Sequence, residues 1–269
     1  MDTPSSETTK SPAVRRFEEL PPLRQELEAV LRLLPLRHLP GLTCLDIGFP
    51  TPEISRRLRA RGGAWRTLAR SPAFAEEASA FLGEPVSCLG ASGAIPFPDR
   101  SFDAVVVALD ILSALPDDAA FVKECNRVLR PAGLLLLSVS ARRAFSLVPA
   151  FRGGNAPSDP LLAAYTEPAL CQLLKNGFDV DAIDGFSPFF TELVRIRALR
   201  MLRSGLGPDE IAPRLRRAFS AARFFDRFAV GSRRNVLSVL ARRRQWSSRG
   251  SSSDAFVGGR SIGANVLFR

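Results

Sequence analysis

Residues 44–58, CLDIGFPTPEISRRL, read as a strand that passes directly into a helix. The turn between them carries Gly48, Pro50 and Pro52, where a nucleotide-binding loop usually carries glycines. Thr51 is suited to cap the helix and Pro52 to be its first residue, an arrangement favoured at helix starts. Pro50 acts the other way: its ring fixes φ near about −65° and removes an amide that could have faced a ligand. The prolines therefore favour the helix and impair the nucleotide loop.

Outward from this turn, short apolar runs alternate with helical periodicity. TCLDIG, AWRTLA, PVSCLG, FDAVVVALD, GLLLLSVS and FDVDAIDGF read as strands. PEISRRLRARG, PAFAEEASAFLG, DDAAFVKECNRVLR and EPALCQLLKNG read as helices between them. Gly62-Gly63, Gly83, and Pro131 with Gly133 punctuate the boundaries. Strands that are apolar throughout and alternate with helices imply a doubly wound, mostly parallel α/β sheet covered on both faces.

The flanks differ from this core. Residues 1–12 read as a disordered tail, and 13–40 as a helical cap with stretches Val14–Leu20 and Leu23–Leu34 broken by Pro21-Pro22. The α/β core is expected over 41–188, an arginine-rich helical insertion over 189–250, and a linker with a closing strand over 251–269. The insertion is read as the helices TELVRIRALRMLR, DEIAPRLRRAFSAARFFDRFAV and RNVLSVLARRRQ, and the closing strand as SIGANVLFR.

The formal charge of +10 is concentrated in that insertion, since residues 191–250 hold fifteen arginines against Glu192, Asp209, Glu210 and Asp226. Its helices can simply cover the sheet, or present a cationic face to anionic lipid, nucleic acid or an acidic protein. Phe219, Phe224, Phe225, Phe228 and Trp246 suit a membrane interface better than duplex readout, and no nucleic-acid-binding motif is visible. Cys44, Cys88, Cys125 and Cys171 have neither disulfide-framework nor zinc spacing. With no signal-like or membrane-spanning run, a soluble cytoplasmic protein is expected, with peripheral membrane contact through the arginine helices.

The order of these pieces resembles the class I S-adenosylmethionine-dependent methyltransferases, type 11 branch. CLDIG is similar to their first-strand motif, IPFPDRSFDAVV to the segment entering the fourth strand, and VLRPAGLLLLSV to the helix-turn-strand that follows. YTEPALCQLLKNGFDV resembles the later helix and sixth strand, and GANVLFR the closing strand. The resemblance implies a seven-stranded sheet with an antiparallel closing strand, S-adenosylmethionine as cofactor, and a cofactor site at Asp46, Gly48, Phe49, Pro50, Ala69, Arg70, Ala91, Ser92 and Leu109.

Three of these positions depart from the family pattern. Pro50 stands in the glycine loop, Ala69 where a carboxylate would take the ribose hydroxyls, and Ala91 where an acidic residue would take the adenine amino group. The ribose carboxylate alone would supply a pair of charge-assisted hydrogen bonds worth about 1.5–3 kcal/mol each, so its loss is expected to lower affinity by about two or more orders of magnitude.

Outside that site, His38, Asp110 and Tyr165 are candidates for acid–base or substrate contact, although a linker histidine and a helix-capping carboxylate are the favoured readings of the first two, and capping and packing explain Tyr165 as well as substrate contact does. Two functions stay open. One is a weakly active or non-catalytic homologue serving as a binding or scaffold module for a small molecule or protein. The other is an active methyltransferase on a small or lipid-like acceptor.

Overall fold

The computed structural model describes residues 11–34, 40–141, 164–203, 208–228 and 235–245. His38 and the expected closing strand SIGANVLFR lie outside the described residues. Two helices come first, α1 (Pro12–Glu19) and α2 (Pro21–Leu33). Pro21 and Pro22 separate the two stretches as expected: α1 ends before Leu20, and the prolines open α2, because a helix has no use for amide donors at its first positions.

The α/β core follows as β1 (Thr43–Ile47), α3 (Pro52–Arg59), β2 (Ala64–Ala69), α4 (Pro72–Leu82), β3 (Ser87–Cys88) and β4 (Phe102–Val107). It continues with α5 (Ile111–Ala114), α6 (Asp118–Val128), β5 (Leu129–Ser140), α7 (Glu167–Leu174) and β6 (Phe178–Phe186). After α8 (Phe189–Arg203) and α9 (Pro208–Asp226) the chain returns to the sheet as β7 (Val236–Arg243). Thr51 caps α3 as the sequence predicts and Thr166 caps α7, their hydroxyls accepting from the amides of Glu53 at 3.4 Å and Ala169 at 3.3 Å.

The seven strands lie in the order β3-β2-β1-β4-β5-β7-β6. β1 to β5 are parallel, and β7 runs antiparallel to both β5 and β6. This is a doubly wound mixed sheet whose central strands are buried on both faces: Leu45, Ile47, Val105, Val106 and Leu136 are fully shielded from water.

One element overturns its sequence reading. The stretch 234–245, expected to be a third helix of the insertion, forms β7, so the antiparallel position is filled by Val236–Arg243. NVLSVLA is a short apolar run whose spacing fits either period, and tertiary context decides it. Val236, Ser238, Val239 and Ala241 are buried between the two neighbouring strands, and the hydroxyls of Ser138 and Ser238 bond across β5 and β7 at 2.8 Å.

The cap and insertion converge on one end of the sheet. Ile211, Leu215 and Phe219 of α9 form a small core with Leu20 beside α1 and Val194 and Ala198 of α8. α1 also grips the turn before α3, where the Thr51 hydroxyl donates to the Ala13 carbonyl at 3.1 Å and the Arg57 guanidinium lies 4.3 Å from the centre of the Phe17 ring.

Gly48 is where the first turn is least tolerant of change. Its φ is +76°, and an added Cβ would stand 2.2 Å from Ile111 Cδ1. Gly48→Ala is expected to lower stability by about 2–4 kcal/mol in urea melts, and Ile111→Ala in the same chain to recover only the steric part of that loss.

Candidate active site

In an open doubly wound sheet, ligands lie outside the carboxyl ends of the strands where the strand order reverses. Here that place is between β1 and β4. A cavity of about 150 Å³ lies there, walled by Pro50, Arg70, Leu109 and Asp110 from the sheet loops. Leu23, Gln25 and Glu26 of α2, Arg195 and Ala198 of α8, and Phe219 of α9 close it from above.

A buried ionic cluster forms its inner wall. Arg195 donates from Nη1 to Asp110 Oδ2 at 2.7 Å, from Nη2 to Glu192 Oε1 at 2.7 Å and from Nη2 to Ser140 Oγ at 3.1 Å. Its Nε donates to Glu192 Oε2 at 2.9 Å, and that oxygen also accepts from the Ser187 hydroxyl at 2.7 Å. Ser140 Oγ in turn donates to Asp110 Oδ1 at 3.2 Å. All five residues are buried, and Asp110 and Ser187 hold positive φ angles of 69° and 63° to fit this arrangement.

Burial alone would weaken the Arg195 charge, but the carboxylates of Asp110 and Glu192 outweigh it and hold the guanidinium above its ordinary pKa. Glu26 sits next to the cluster. Its Oε1 accepts from the Leu109 amide at 2.7 Å, and burial, reinforced by the Asp110 charge, pushes its carboxyl up to about 7.

The family positions fall into three groups. Asp46 is fully buried and turned into the protein, accepting from Ser55 Oγ at 2.7 Å, Thr67 Oγ1 at 2.9 Å and Arg59 Nη1 at 3.4 Å. Burial pushes its carboxyl up to about 6. Phe49 and Ala69 are likewise buried, and Ala69 spends its carbonyl on the Leu89 amide. Pro50, Arg70 and Leu109 do face the cavity. Ala91 and Ser92 are exposed on a turn closed by Gly90 and Gly93, away from the cavity wall.

The space against Gly48 is filled by Ile111 rather than open. The cavity is also smaller than the roughly 300–1,000 Å³ usual for cofactor and drug-sized ligands.

Of the other candidates, Asp110 reaches the site, but as the partner of Arg195 and without a side-chain cap bond to α5. Tyr165 instead donates to Asp118 at 2.8 Å and pairs its backbone with Ala141. Cys44 and Cys125 are buried free thiols, and no cluster of metal-ligating side chains occurs among the described residues.

Glu26, Glu192, Arg195 and Ser187 were missed by the sequence reading. One signal was available: Glu26 falls in the apolar stripe Leu23, Leu27, Val30, where a carboxylate stays only if something pairs with it.

The strand order, with its antiparallel β7 and a small cavity at the switch point, defines a doubly wound fold of the kind that places nucleotide cofactors at the strand ends. Residues 45–137 match the family model of a methyltransferase domain. The chain is similar to a protein of Mycolicibacterium smegmatis named a probable S-adenosylmethionine-dependent methyltransferase, 40% identical over 89 residues, or 32% of each chain. It is 30% identical over 159 residues, 53% of each chain, to the probable S-adenosylmethionine-dependent methyltransferase Rv3030 of Mycobacterium tuberculosis. The chain thus spans about a third to a half of the length of these curated relatives.

Among solved structures, phosphoethanolamine N-methyltransferase 2 of Haemonchus contortus superposes with a TM-score of 0.60 at 17% identity, covering 90% of this chain and 59% of that one, a likeness of fold alone. Together these findings show a match to a methyltransferase domain over residues 45–137 and the fold of the class I S-adenosylmethionine-dependent methyltransferases.

The titrating carboxyls set a pH dependence. Glu26 and Asp46 have folded pKa values above those of the unfolded chain, so ionising them opposes folding. Their penalty is absent below about pH 4, grows as pH rises, and is complete above about pH 7, where Glu26 alone costs about 3 kcal/mol. Melting temperature should therefore fall between about pH 5 and 8, and Glu26→Gln, which keeps an acceptor for the Leu109 amide, should flatten that slope. Arg195→Met leaves Asp110 and Glu192 buried without their cation and should cost about 3–5 kcal/mol in denaturant melts.

Proposed function

We propose that this chain is a methyltransferase homologue with an impaired S-adenosylmethionine site, weakly active or non-catalytic, whose closed cleft serves as a binding or scaffold module for a small molecule or protein. The observation that carries this reading is the filling of the cleft. Ile111 occupies the space against Gly48, and the Arg195 cluster with Glu26 takes the floor beyond Leu109. Pro50 offers no amide to a cofactor, and Ala69 offers no carboxylate to a ribose. The chain's residues fit the family's cofactor poorly. The buried thiols of Cys44 and Cys125 suit a reducing cytoplasmic setting.

A second reading, an active methyltransferase on a small or lipid-like acceptor, is supported by the names of the relatives and by Gly48, whose left-handed backbone the family turn also requires. Such a reaction depends on alignment and needs little from acid or base groups.

Isothermal titration of S-adenosylmethionine and S-adenosylhomocysteine into ligand-free protein separates the two. The first reading expects no saturable binding at micromolar concentration and no thermal stabilisation. It further expects that Pro50→Gly, alone or with Ala69→Asp, gains at least about tenfold in affinity. Micromolar binding by the unaltered chain would overturn it.

A further inference from the structure

We propose that the solvent face of α9 docks this protein on an anionic lipid surface. The inference rests on the surface alone and stands whether or not the cleft binds a cofactor. Phe224, Phe225 and Phe228 are 56%, 53% and 67% exposed, which is unusual for phenylalanines beside a well-packed helix.

They are not scattered. Ring centres lie 5.1 Å apart for Phe224 and Phe228, 5.8 Å for Phe224 and Phe225, 5.7 Å for Phe190 and Phe225, and 5.3 Å for Phe189 and Phe190. The result is one continuous aromatic strip across the end of α9 and the start of α8. It is held in place from below. Asp226 accepts from the amides of Phe190 and Thr191 and from the Thr191 hydroxyl, at 2.8, 3.0 and 2.6 Å, while Phe219 and Leu215 bury the opposite side of α9. The rings therefore cannot turn inward without breaking that junction.

Charge selects the occupant. Arg214, Arg216, Arg217 and Arg223 are exposed on α9 and Arg227 is exposed in the turn directly after it, and Asp226 is spent on α8. Arg217 and Phe224 stand seven residues apart on one stripe of α9, and the Phe228 ring packs against Phe224 just beyond the helix end. Aromatic rings flanked by guanidinium groups, on a helix not apolar enough to span, match the chemistry of a headgroup layer: the rings enter the acyl boundary and the arginines meet phosphate. A second copy of the chain suits this face less well, because a two-fold contact would bring the two arginine sets together.

The test uses the full chain in flotation with vesicles of phosphatidylcholine plus phosphatidylglycerol and, separately, of phosphatidylcholine alone. The protein should float with the anionic vesicles, more weakly as salt rises, and not with the neutral ones. Phe224→Ser with Phe228→Ser, and Arg217→Glu with Arg223→Glu, should each lower partitioning at least about tenfold. Both pairs are exposed, so their melting temperatures should match the parent, and circular dichroism melts verify this. Absence of binding to anionic vesicles, binding that ignores the phenylalanine pair, or a dimer that the phenylalanine pair abolishes without any vesicle binding would overturn the proposal.

Discussion

The hydrogen-bonded ion pair between Arg195 and Asp110 joins residues 85 positions apart and fixes how α8 meets the carboxyl end of β4. A guanidinium and two carboxylates out of water are costly unless nearly every donor and acceptor is used. Ser140 and Ser187 complete the set, and two residues accept left-handed backbone to do so. The remainder of the cleft follows from this constraint. With Arg195 committed to Asp110 and Glu192, α8 lies over the strand ends, α9 packs on α8, and α2 places Glu26 on the Leu109 amide. What is left is a small cavity with charged walls rather than an open groove.

This has a consequence for chemistry. Asp110 stands where a family member can place a substrate-facing group, yet one of its oxygens is engaged by the Arg195 guanidinium and the other by the Ser140 hydroxyl. The titrating group of the site is Glu26, a carboxyl that burial brings close to neutrality and that lies on the cap rather than on the sheet. A ligand entering the cavity would meet Glu26 at its wall beside Pro50, Arg70 and Leu109, the three family positions that face it.

The fold was largely legible in the sequence because its determinants are local. CLDIG, FDAVVV and GLLLLSVS are apolar on both faces, and Thr51 with Pro52 and Thr166 with Pro168 mark helix starts. β7 was not legible, because NVLSVLA carries no glycine or proline to separate a strand from a helix and its two neighbours in the sheet come from distant segments. The site divides the same way. Pro50, Arg70 and Leu109, which face the cavity, stand at turns and strand ends that the sequence marks. The Arg195 cluster could not, since Glu26, Asp110 and Arg195 lie in three separate elements and each reads locally as an ordinary helix or turn charge.

The central claim is that the cleft's interior is already occupied by its own side chains. Hydrogen exchange read on peptides spanning 48–58 and 105–115, with and without saturating S-adenosylmethionine, addresses it directly. These peptides carry the Gly48 turn, the Leu109 amide and Ile111, the places a cofactor would have to touch. The account predicts superimposable exchange in both samples. Added protection in both peptides together would show that Ile111 and the Glu26 contact give way to the cofactor, and would contradict it.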